Sequence, residues 1–536
     1  MQMQKQYDVL LVLLVFGLIG LLVLLWAVQH PFPLTTDEVG YLVFPCERPW
    51  AIPIQWGPGY KAFYCVITAL VPNALVALYV KSALVLLLLL TVLFAILRTL
   101  QVRLVLALAI CVGLALTLLP LQGTNSTSES AFLLAICGAL LVMRSGATGW
   151  SLFFVLLLVA FFMRTEYALA LFAGILVLLP QAVQEHRQAS GYRLRLAWMY
   201  GLVCLCLCAG LYMWGPKPIV DRSWIAFGQH FARNLQNAYH LPGDSFTEWN
   251  RFVRPSFPTS QTLPSAALEN PAMFAWHVGY NLLWRLPEYT VRRLTPTVFW
   301  LPVASWHLLL RQAMTVLILV TAVAGCWSWQ CHTKALRQTM LPLLLLLPIS
   351  LVSLVVMPVA KHLLPLLPIL AVMLGWGIEY CWQQRRIWLR GLPLLLGLCL
   401  FLGLAGQTLT MGRNLFSTQP SVESMVAAIQ QQASAESPVR ILSSASWGQR
   451  LCALAQTPYC TGLTLPIDES PSAYARQERV TWILADPGWQ QRVPIQEDPV
   501  MGQITQHAEA FGCHADPVTR QGYHLIRCDP FFQPDM

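Results

Sequence analysis

The stretch VLLVLLVFGLIGLLVLLWAV, residues 9–28, is an unbroken apolar run of roughly the 20 residues that a helix needs to cross a bilayer. It is longer than the core of a signal peptide, and no small-x-small cleavage site follows it, so we interpret it as a retained first membrane span. The rest of the chain has the same character: of 536 residues, 56% are hydrophobic and 11% are charged, and the mean hydropathy is +0.57. These values are far from those of soluble globular domains and predict a polytopic membrane protein.

Similar apolar segments recur along the chain and give about eleven spans together with the first. The others are predicted at residues 74–97, 104–121, 130–143, 150–163, 167–180, 197–214, 309–328, 340–357, 363–382 and 391–410. Residues 150–180 could also form one long helix, but that would place the basic cluster at 187–195 outside. Two short spans joined by an outward-facing turn at residues 164–166 fit better.

The basic residues between the spans predict the orientation. With the N-terminus in the cytoplasm, the basic clusters fall on the cytoplasmic side in one loop after another, as the positive-inside rule requires. They are Arg98 with Arg103, Arg144, Arg187 with Arg193 and Arg195, Lys334 with Arg337, and Arg385 with Arg386 and Arg390. The net charge of +9 therefore indicates membrane orientation and no nucleic-acid partner. The expected location is the plasma membrane, which in a bacterium is the inner membrane.

This topology divides the chain into a membrane domain, residues 1–410, and an extracytoplasmic domain, residues 411–536. The outer loops of the membrane domain are 29–73, 122–129 (QGTNSTSE) and 215–308. The tail lacks apolar runs, and its strand-like stretches VRILSS (439–444), TWILA (481–485) and YHLIRC (523–528) alternate with polar helix-like segments. The predicted fold is thus mainly α, a polytopic helical membrane bundle with a small C-terminal α/β domain.

The cysteines separate by compartment. Cys204, Cys206 and Cys208 alternate within an apolar span and do not share one helix face, which favours packing over a metal site. Four cysteines in the predicted outer tail favour two disulfides, with all three pairings open. They are Cys452, Cys460, Cys513 and Cys528. Cys46 and Cys65 in the first outer loop could pair in the same way, and the absence of CxxC spacing argues against zinc.

The outer ends of the spans carry residues suited to chemistry on a phosphate-bearing lipid. A base that deprotonates a hydroxyl must be an ionised carboxylate or a neutral His, and a lipid phosphate needs cations. The candidate acids are Asp37 and Glu38, in the stretch TTDEVGY after the first span, and Glu129. The candidate cations are Lys61, Arg164, Lys361 and His362.

The candidate acids also have structural interpretations. Asp37 could cap a short helix that begins at Glu38, because Thr-Thr-Asp-Glu is a favourable N-cap sequence. Taken alone, this interpretation is as strong as catalysis. Glu129 could equally cap a span that begins at Ser130.

The same holds for the cations. Arg164 and Glu166 could simply pair with each other, and Lys361 with His362 could be interfacial anchors whose side chains reach the headgroups. Lys81, near the start of its span, could do likewise or pair inside the bundle. The functional interpretation therefore depends on the whole constellation.

An ordered series of motifs carries that constellation. It consists of the Asp37-Glu38 pair, GPGYK (57–61), the Ser/Thr-rich turn ending in Glu129, FMRTEYAL (162–169) and AKHLLPLLP (360–368). Over residues 1–410 this series resembles the GT-C class of membrane glycosyltransferases, and is most similar to the protein O-mannosyltransferase and lipid A aminoarabinose transferase group. One departure is that Leu363 and Leu364 follow His362, where the family usually has Arg or Tyr after its basic residue.

The resemblance implies a hexosyl- or pentosyltransferase with a polyprenyl-phosphate sugar donor, acting on the outer face with inversion at the anomeric carbon. It implies that Asp37 is the general base, that Glu38 and Glu129 assist it, and that cations hold the lipid phosphate. Those cations are Lys61, Arg164, Lys361 and His362. The acceptor would be an envelope glycan, lipid or protein; no cofactor is firmly implied, no metal ligands are assigned and a divalent metal requirement stays open.

Other classes share the composition. A secondary transporter would also be polytopic, but its binding charges lie near mid-bilayer on interrupted helices of related repeats, and no repeat is visible in this sequence. An O-antigen polymerase or ligase would share the lipid-linked substrate without an Asp-Glu pair as base. A noncatalytic envelope assembly protein would use the tail as an interaction module.

Overall fold

The computed structural model describes residues 2–29, 41, 46–47, 57–118, 126–145, 147–176, 222–243, 245–246, 248–285, 323, 334–356, 360–383, 422–444, 447–465, 469–486, 489–491, 493–519 and 523–528. Helices dominate the described residues up to 383. In the predicted membrane domain they are α1 (Gln2–Gln29), α2 (Pro58–Leu70), α3 (Ala74–Thr99), α4 (Leu104–Leu118), α5 (Ser126–Ser145) and α6 (Ala147–Met163). The large outer loop contributes α7 (Arg222–Tyr239), α8 (Trp249–Val253), α9 (Leu263–Glu269) and α10 (Pro271–Tyr280). They are followed by α11 (Lys334–Leu344), α12 (Leu347–Val355), α13 (Ala360–Leu363) and α14 (Leu366–Gln383).

The predicted spans up to residue 163 agree with α1 and α3–α6. Two helical segments in the described part are long and apolar enough to cross a membrane, Val76–Thr99 and Ser128–Ser145, and shorter apolar helices accompany them. Their buried residues form one apolar core, represented by Ile19, Leu89, Phe132, Phe153 and Val372. The number of spans stays a prediction, because 197–214, 391–410 and almost all of 309–328 lie outside the described residues.

The predicted span 340–357 is interrupted between α11 and α12, whereas the predicted span 363–382 agrees with α14 apart from its first three residues. Prolines explain both this interruption and the break between α13 and α14. Pro348 and Pro368 lack the N–H that would donate to the carbonyls of Leu344 and Leu364. At each break the chain makes i→i−3 hydrogen bonds instead, such as Leu367 N to Leu364 O at 3.0 Å.

The predicted turn inside 150–180 is confirmed. Helix α6 ends at Met163, Arg164 is extended (φ −150°, ψ 117°), and Thr165–Tyr167 form a 3₁₀ turn before residues 168–176 resume as a helix. A Cβ on Gly174 would lie 2.9 Å from the Phe154 ring, so the second helix folds back along α6. The alternative of one long helix is wrong.

The outer-loop helices α7–α10 form a unit of their own, described over residues 222–285. Its core is aromatic: Phe227, Phe231 and Phe257 are fully buried and meet with ring centroids 5.2–5.7 Å apart. Beneath these rings lies a buried polar network that includes His277 and Asn281, both 0% exposed. The His277 Nε2 atom lies 3.1 Å from the carbonyl oxygen of Val356, just after α12. The unit is thereby attached to the membrane part.

The tail is an α/β unit, as predicted. Its elements are α15 (Val422–Gln432), β1 (Val439–Ser443), α16 (Trp447–Ala455), β2 (Cys460–Thr464), α17 (Pro471–Gln477), β3 (Trp482–Ala485), α18 (Val493–Glu497), α19 (Pro499–Ile504), β4 (His514–Ala515) and β5 (His524–Arg527). The strand order is β2-β1-β3-β5-β4, with β1 parallel to β2 and β3, and β5 antiparallel to β3 and β4. The three predicted strands are β1, β3 and β5. Strands β2 and β4 were not predicted, because CTGLT and HA are short and weakly apolar.

Disulfides link Cys452 to Cys460 and Cys513 to Cys528, which confirms two bridges in the tail and selects one of the three pairings. A third disulfide joins Cys46 to Cys65 of α2, so it links two parts of the first outer loop.

Candidate active site

The GPGYK and FMRTEYAL motifs are in close backbone contact. Gly57 has φ +72° and precedes α2, and its carbonyl accepts the amides of Tyr60 and Lys61. A Cβ on Gly57 would lie 2.1 Å from the carbonyl oxygen of Met163, and one on Gly59 would lie 3.1 Å from the Phe162 side chain. Only glycine allows both the positive φ and this approach. The start of α2 therefore packs on the end of α6, next to Arg164.

Lys61 lies at this junction and is 1% exposed. Its Nζ donates to the carbonyl oxygen of Tyr41, the last residue of TTDEVGY, at 2.8 Å, and lies 5.2 Å from the centre of the Tyr64 ring. Burial lowers the pKa of Lys61 to about 8, and the Glu47 carboxylate acts in the opposite direction. Lys61 therefore fixes the end of the first-loop motif, through one of the three hydrogen bonds that an ammonium can donate.

A second buried lysine supports the first. Lys81 of α3 is 0% exposed, and its Nζ donates to the Tyr60 hydroxyl. The same ammonium lies 4.8 Å and 5.0 Å from the ring centres of Tyr60 and Tyr64, while the Tyr60 ring meets Tyr41 edge-on at 4.9 Å. Of the two interpretations of Lys81, pairing inside the bundle is confirmed, and its partners are aromatic side chains.

Arg164 and His362 come together although the sequence separates them widely. The Arg164 Nη2 donates to Glu166 Oε1 at 2.5 Å, and His362 Nδ1 lies 4.0 Å from the same oxygen. Burial raises the pKa of Glu166, but the Arg164 and His362 side chains outweigh it, and the pKa falls to about 2. Glu166 is thus a carboxylate at every working pH. The predicted pairing of Arg164 with Glu166 is confirmed.

Lys361, the other basic residue of the AKHLLPLLP motif, lies in α13, beside His362 in the chain. The carbonyl oxygen of His362 accepts the Ser350 hydroxyl of α12 at 2.8 Å. This contact fixes the backbone of the short helix that carries both residues.

Glu129 lies in the first turn of α5 and is 1% exposed, between Ser128 and Ser130, which are also buried. Because α5 begins at Ser126, the interpretation of Glu129 as the cap of a helix starting at Ser130 is wrong, and 126–129 is helix and not turn. A carboxylate in the first turn is favoured by the helix dipole. Helix α5 packs against α2, α6 and α13, so Glu129 is at the end of the bundle that carries the cations.

Asp37 and Glu38 lie outside the described residues, and their roles stay predictions. Among the described residues, no group of three His, Cys, Asp or Glu side chains is placed to bind a metal ion. At the opposite end of the bundle, Arg103 pairs with Glu379 at 2.8 Å. This contact brings the 98–103 loop next to the end of α14, in agreement with their predicted common side.

Some residues of this arrangement were given no site role from the sequence. They are Glu166, which links the two cations, and Tyr41, Tyr60 and Lys81, which hold the first loop on α2. Tyr41 ends the TTDEVGY stretch, Tyr60 lies in GPGYK and Glu166 lies in FMRTEYAL, whereas the Ser/Thr-rich turn and AKHLLPLLP contain none of these residues. That proximity was the available signal.

No protein-family model matches the chain, and no curated protein matches it by sequence. Solved structures do match. One is the crystal structure of ArnT from Cupriavidus metallidurans bound to undecaprenyl phosphate, with a TM-score of 0.51, 10% identity, and coverage of 98% of this chain and 99% of that chain. The chain therefore has a GT-C-like fold, as the motif resemblance predicted. The particular fold that it shares from end to end is that of ArnT, a lipid A aminoarabinose transferase.

Proposed function

We propose that this protein is a membrane glycosyltransferase that moves a sugar from a polyprenyl-phosphate donor to an envelope acceptor on the outer face of the membrane. The observation that carries the proposal is the full-length likeness to a structure that holds undecaprenyl phosphate. The described geometry supports it, because one end of the bundle gathers Lys61, Arg164, His362 and Glu129.

The proposed reaction is a single displacement. The acceptor oxygen or nitrogen loses its proton to Asp37 and forms the new bond to the anomeric carbon. The bond between that carbon and the phosphate oxygen breaks, and its electron pair leaves with the polyprenyl phosphate. A phosphate is already a good leaving group, so the step needs a base and cations but no dedicated acid.

The roles follow from charge and position. Arg164, Lys361 and His362 stabilise the charge that develops on the phosphate, and charge-assisted hydrogen bonds suit this task. Lys61 acts at the same end, where it also holds the first loop through Tyr41. Glu38 and Glu129 position the acceptor or the base.

The test is Asp37→Asn in the purified protein, assayed with a radiolabelled polyprenyl-phosphate sugar. Asn keeps the size and much of the capping ability of Asp but accepts no proton, so we expect transfer to fall about 10²–10⁴-fold while donor binding is retained. Glu38→Gln and Glu129→Gln should have smaller effects. The matched control is Asp8→Asn, the same change at the other end of the first span, which should leave transfer unchanged. Normal turnover in Asp37→Asn would remove the base from the proposal.

The acceptor is identified by comparing lipid A, envelope glycans and glycoproteins of strains with and without the gene. One class should lose one sugar. No change in any of them would contradict a transferase function.

A further inference from the structure

The C-terminal α/β unit is docked on α2, which lies in the first outer loop, and on α3, at the turn between the two helices. The Gln456 side chain accepts the amide of Ala74 through Oε1 at 3.3 Å and donates through Nε2 to the carbonyl oxygen of Pro72 at 3.2 Å. One amide side chain thus binds the backbone on both sides of Asn73. This fixes the turn relative to the end of α16.

Two further contacts complete the docking. The Tyr79 hydroxyl of α3 donates to Glu423 Oε1 of α15 at 2.6 Å. In addition, Tyr64 of α2 and Leu78 of α3 are buried in the same apolar cluster as α15, β1 and β3 of the tail. Tyr64 and Leu78 therefore form part of the tail unit's apolar core. The tail packs directly against α2 and α3.

Tyr64 connects this interface to the candidate active site. It belongs to the tail's apolar cluster, and its ring also lies 5.2 Å from the Lys61 ammonium and 5.0 Å from that of Lys81. Lys61 in turn holds the Tyr41 carbonyl, at the end of the TTDEVGY stretch. A continuous series of contacts therefore runs from the tail through α2 to the first loop.

We propose that the C-terminal unit positions α2 and, through Lys61, Tyr41, with Gln456, Glu423, Tyr79 and Tyr64 as positioning residues. The proposal rests on the proposed function where it concerns the lipid donor. Its structural part, that docking of the tail orders α2, is independent of that function. None of these residues needs to contact substrate.

The experiment uses the full-length protein with Gln456→Ala and Glu423→Ala, each followed by two measurements. Hydrogen–deuterium exchange in residues 58–70 should become about tenfold faster, as expected when a hydrogen bond that holds a helix in place is lost. The affinity for polyprenyl phosphate should fall about three- to tenfold. Glu423→Gln, which can still accept the Tyr79 hydroxyl, should behave like the wild type.

The matched control is Gln432→Ala, an exposed residue at the end of α15. It should change neither measurement, and exchange in the strands of the tail should stay slow in every variant. The proposal would be overturned if Gln456→Ala and Glu423→Ala both showed the wild-type exchange rate in residues 58–70 and the wild-type affinity for polyprenyl phosphate. If the wild type itself binds no polyprenyl phosphate, the proposed function fails, and the exchange measurement alone decides the positioning role.

Discussion

At the scale of single residues, Glu166 organises the cationic side of the candidate site. It is mostly buried, it pairs with Arg164 and it lies within 4.0 Å of His362. A buried carboxylate that contacts both side chains holds Arg164 and His362 at one place, and the planar, multi-donor guanidinium is the side chain best suited to bind a phosphate. Its contribution is to place charges that the sequence separates by almost two hundred positions.

We expect Arg164→Ala to weaken polyprenyl phosphate binding by about tenfold or more, because a charge-assisted partner worth roughly 1.5–3 kcal/mol is removed. The measurement is lipid affinity of the purified variant. Arg103→Ala is the matched control, since Arg103 also forms an ion pair but at the opposite end of the bundle. Equal losses in both variants would point to general destabilisation and not to a donor site.

The lowered pKa of Lys61 predicts that the affinity for polyprenyl phosphate depends on pH. Because burial lowers its pKa to about 8, the charged ammonium is lost as the pH rises through about 8, well below the ordinary range of lysine. We therefore expect polyprenyl phosphate affinity to fall between pH 7 and 9, where the second ionisation of a phosphate monoester, with a pKa of about 6, is nearly complete. Titration of affinity against pH tests this. Lys61→Met should bind more weakly at pH 7 and show no such step; a step that persists in Lys61→Met would assign it to another group.

At the scale of elements, the chain places its functional residues where helices end. The 3₁₀ turn after α6 carries Glu166, the short α13 carries His362, and the left-handed Gly57 starts α2. Prolines create some of these breaks, since they remove hydrogen bonds from otherwise helical segments. The outer-loop unit contacts the end of α12. There the carbonyl oxygen of Val356 lies at hydrogen-bond distance from the side chains of His277 and Asn281.

The burial of His277 makes the outer-loop unit sensitive to acid. Burial lowers the pKa of His277 to about 4, against a partial opposite effect of the Val356 and Val355 backbone. Between the ordinary His pKa of about 6.5 and the folded-state value of about 4, the unfolded chain binds more protons than the folded one. The free energy of unfolding of this unit is therefore highest above pH 6.5 and falls by roughly 3 kcal/mol as the pH drops to 4.

Local stability of residues 271–285, measured by hydrogen–deuterium exchange corrected for the intrinsic pH effect, checks this. His277→Gln stays neutral at all pH values and should abolish most of the acid dependence. An unchanged acid dependence in that variant would attribute it to carboxylates elsewhere.

At the scale of the whole molecule, the tail unit, the outer-loop unit and the helical bundle meet around one end of the bundle. The tail is held by side chains of α2 and α3, and the outer-loop unit by the end of α12. All three described disulfides lie in the predicted outer segments. This agrees with an oxidising compartment on that side.

We expect mass spectrometry of non-reduced peptides to find Cys452 joined to Cys460 and Cys513 joined to Cys528, each bridge contributing roughly 2–4 kcal/mol to a small unit. A reporter that is active only outside the cytoplasm, fused after Met536, should be active. Four thiols that are alkylated without reductant, or a reporter active only in the cytoplasm, would contradict the predicted orientation.

The sequence by itself determined the helical class, the positions of α1 and α3–α6, the turn at Arg164 and the α/β character of the tail. These features depend on local chemistry: apolar length, charge between spans and alternation within strands. The motifs that resemble GT-C enzymes were likewise local strings, and they named Lys61, Arg164 and His362 before any contact was visible.

Only the tertiary structure decided which of these residues meet. The Glu166 contact between Arg164 and His362, the two tyrosine-bound lysines, the disulfide pairing and the docking of the tail through Gln456 all join segments far apart in the chain. A spacing pattern reports on neighbours within one helix or strand, whereas these contacts depend on how separate elements pack. Packing is set by the summed burial of many side chains, and no single motif encodes it.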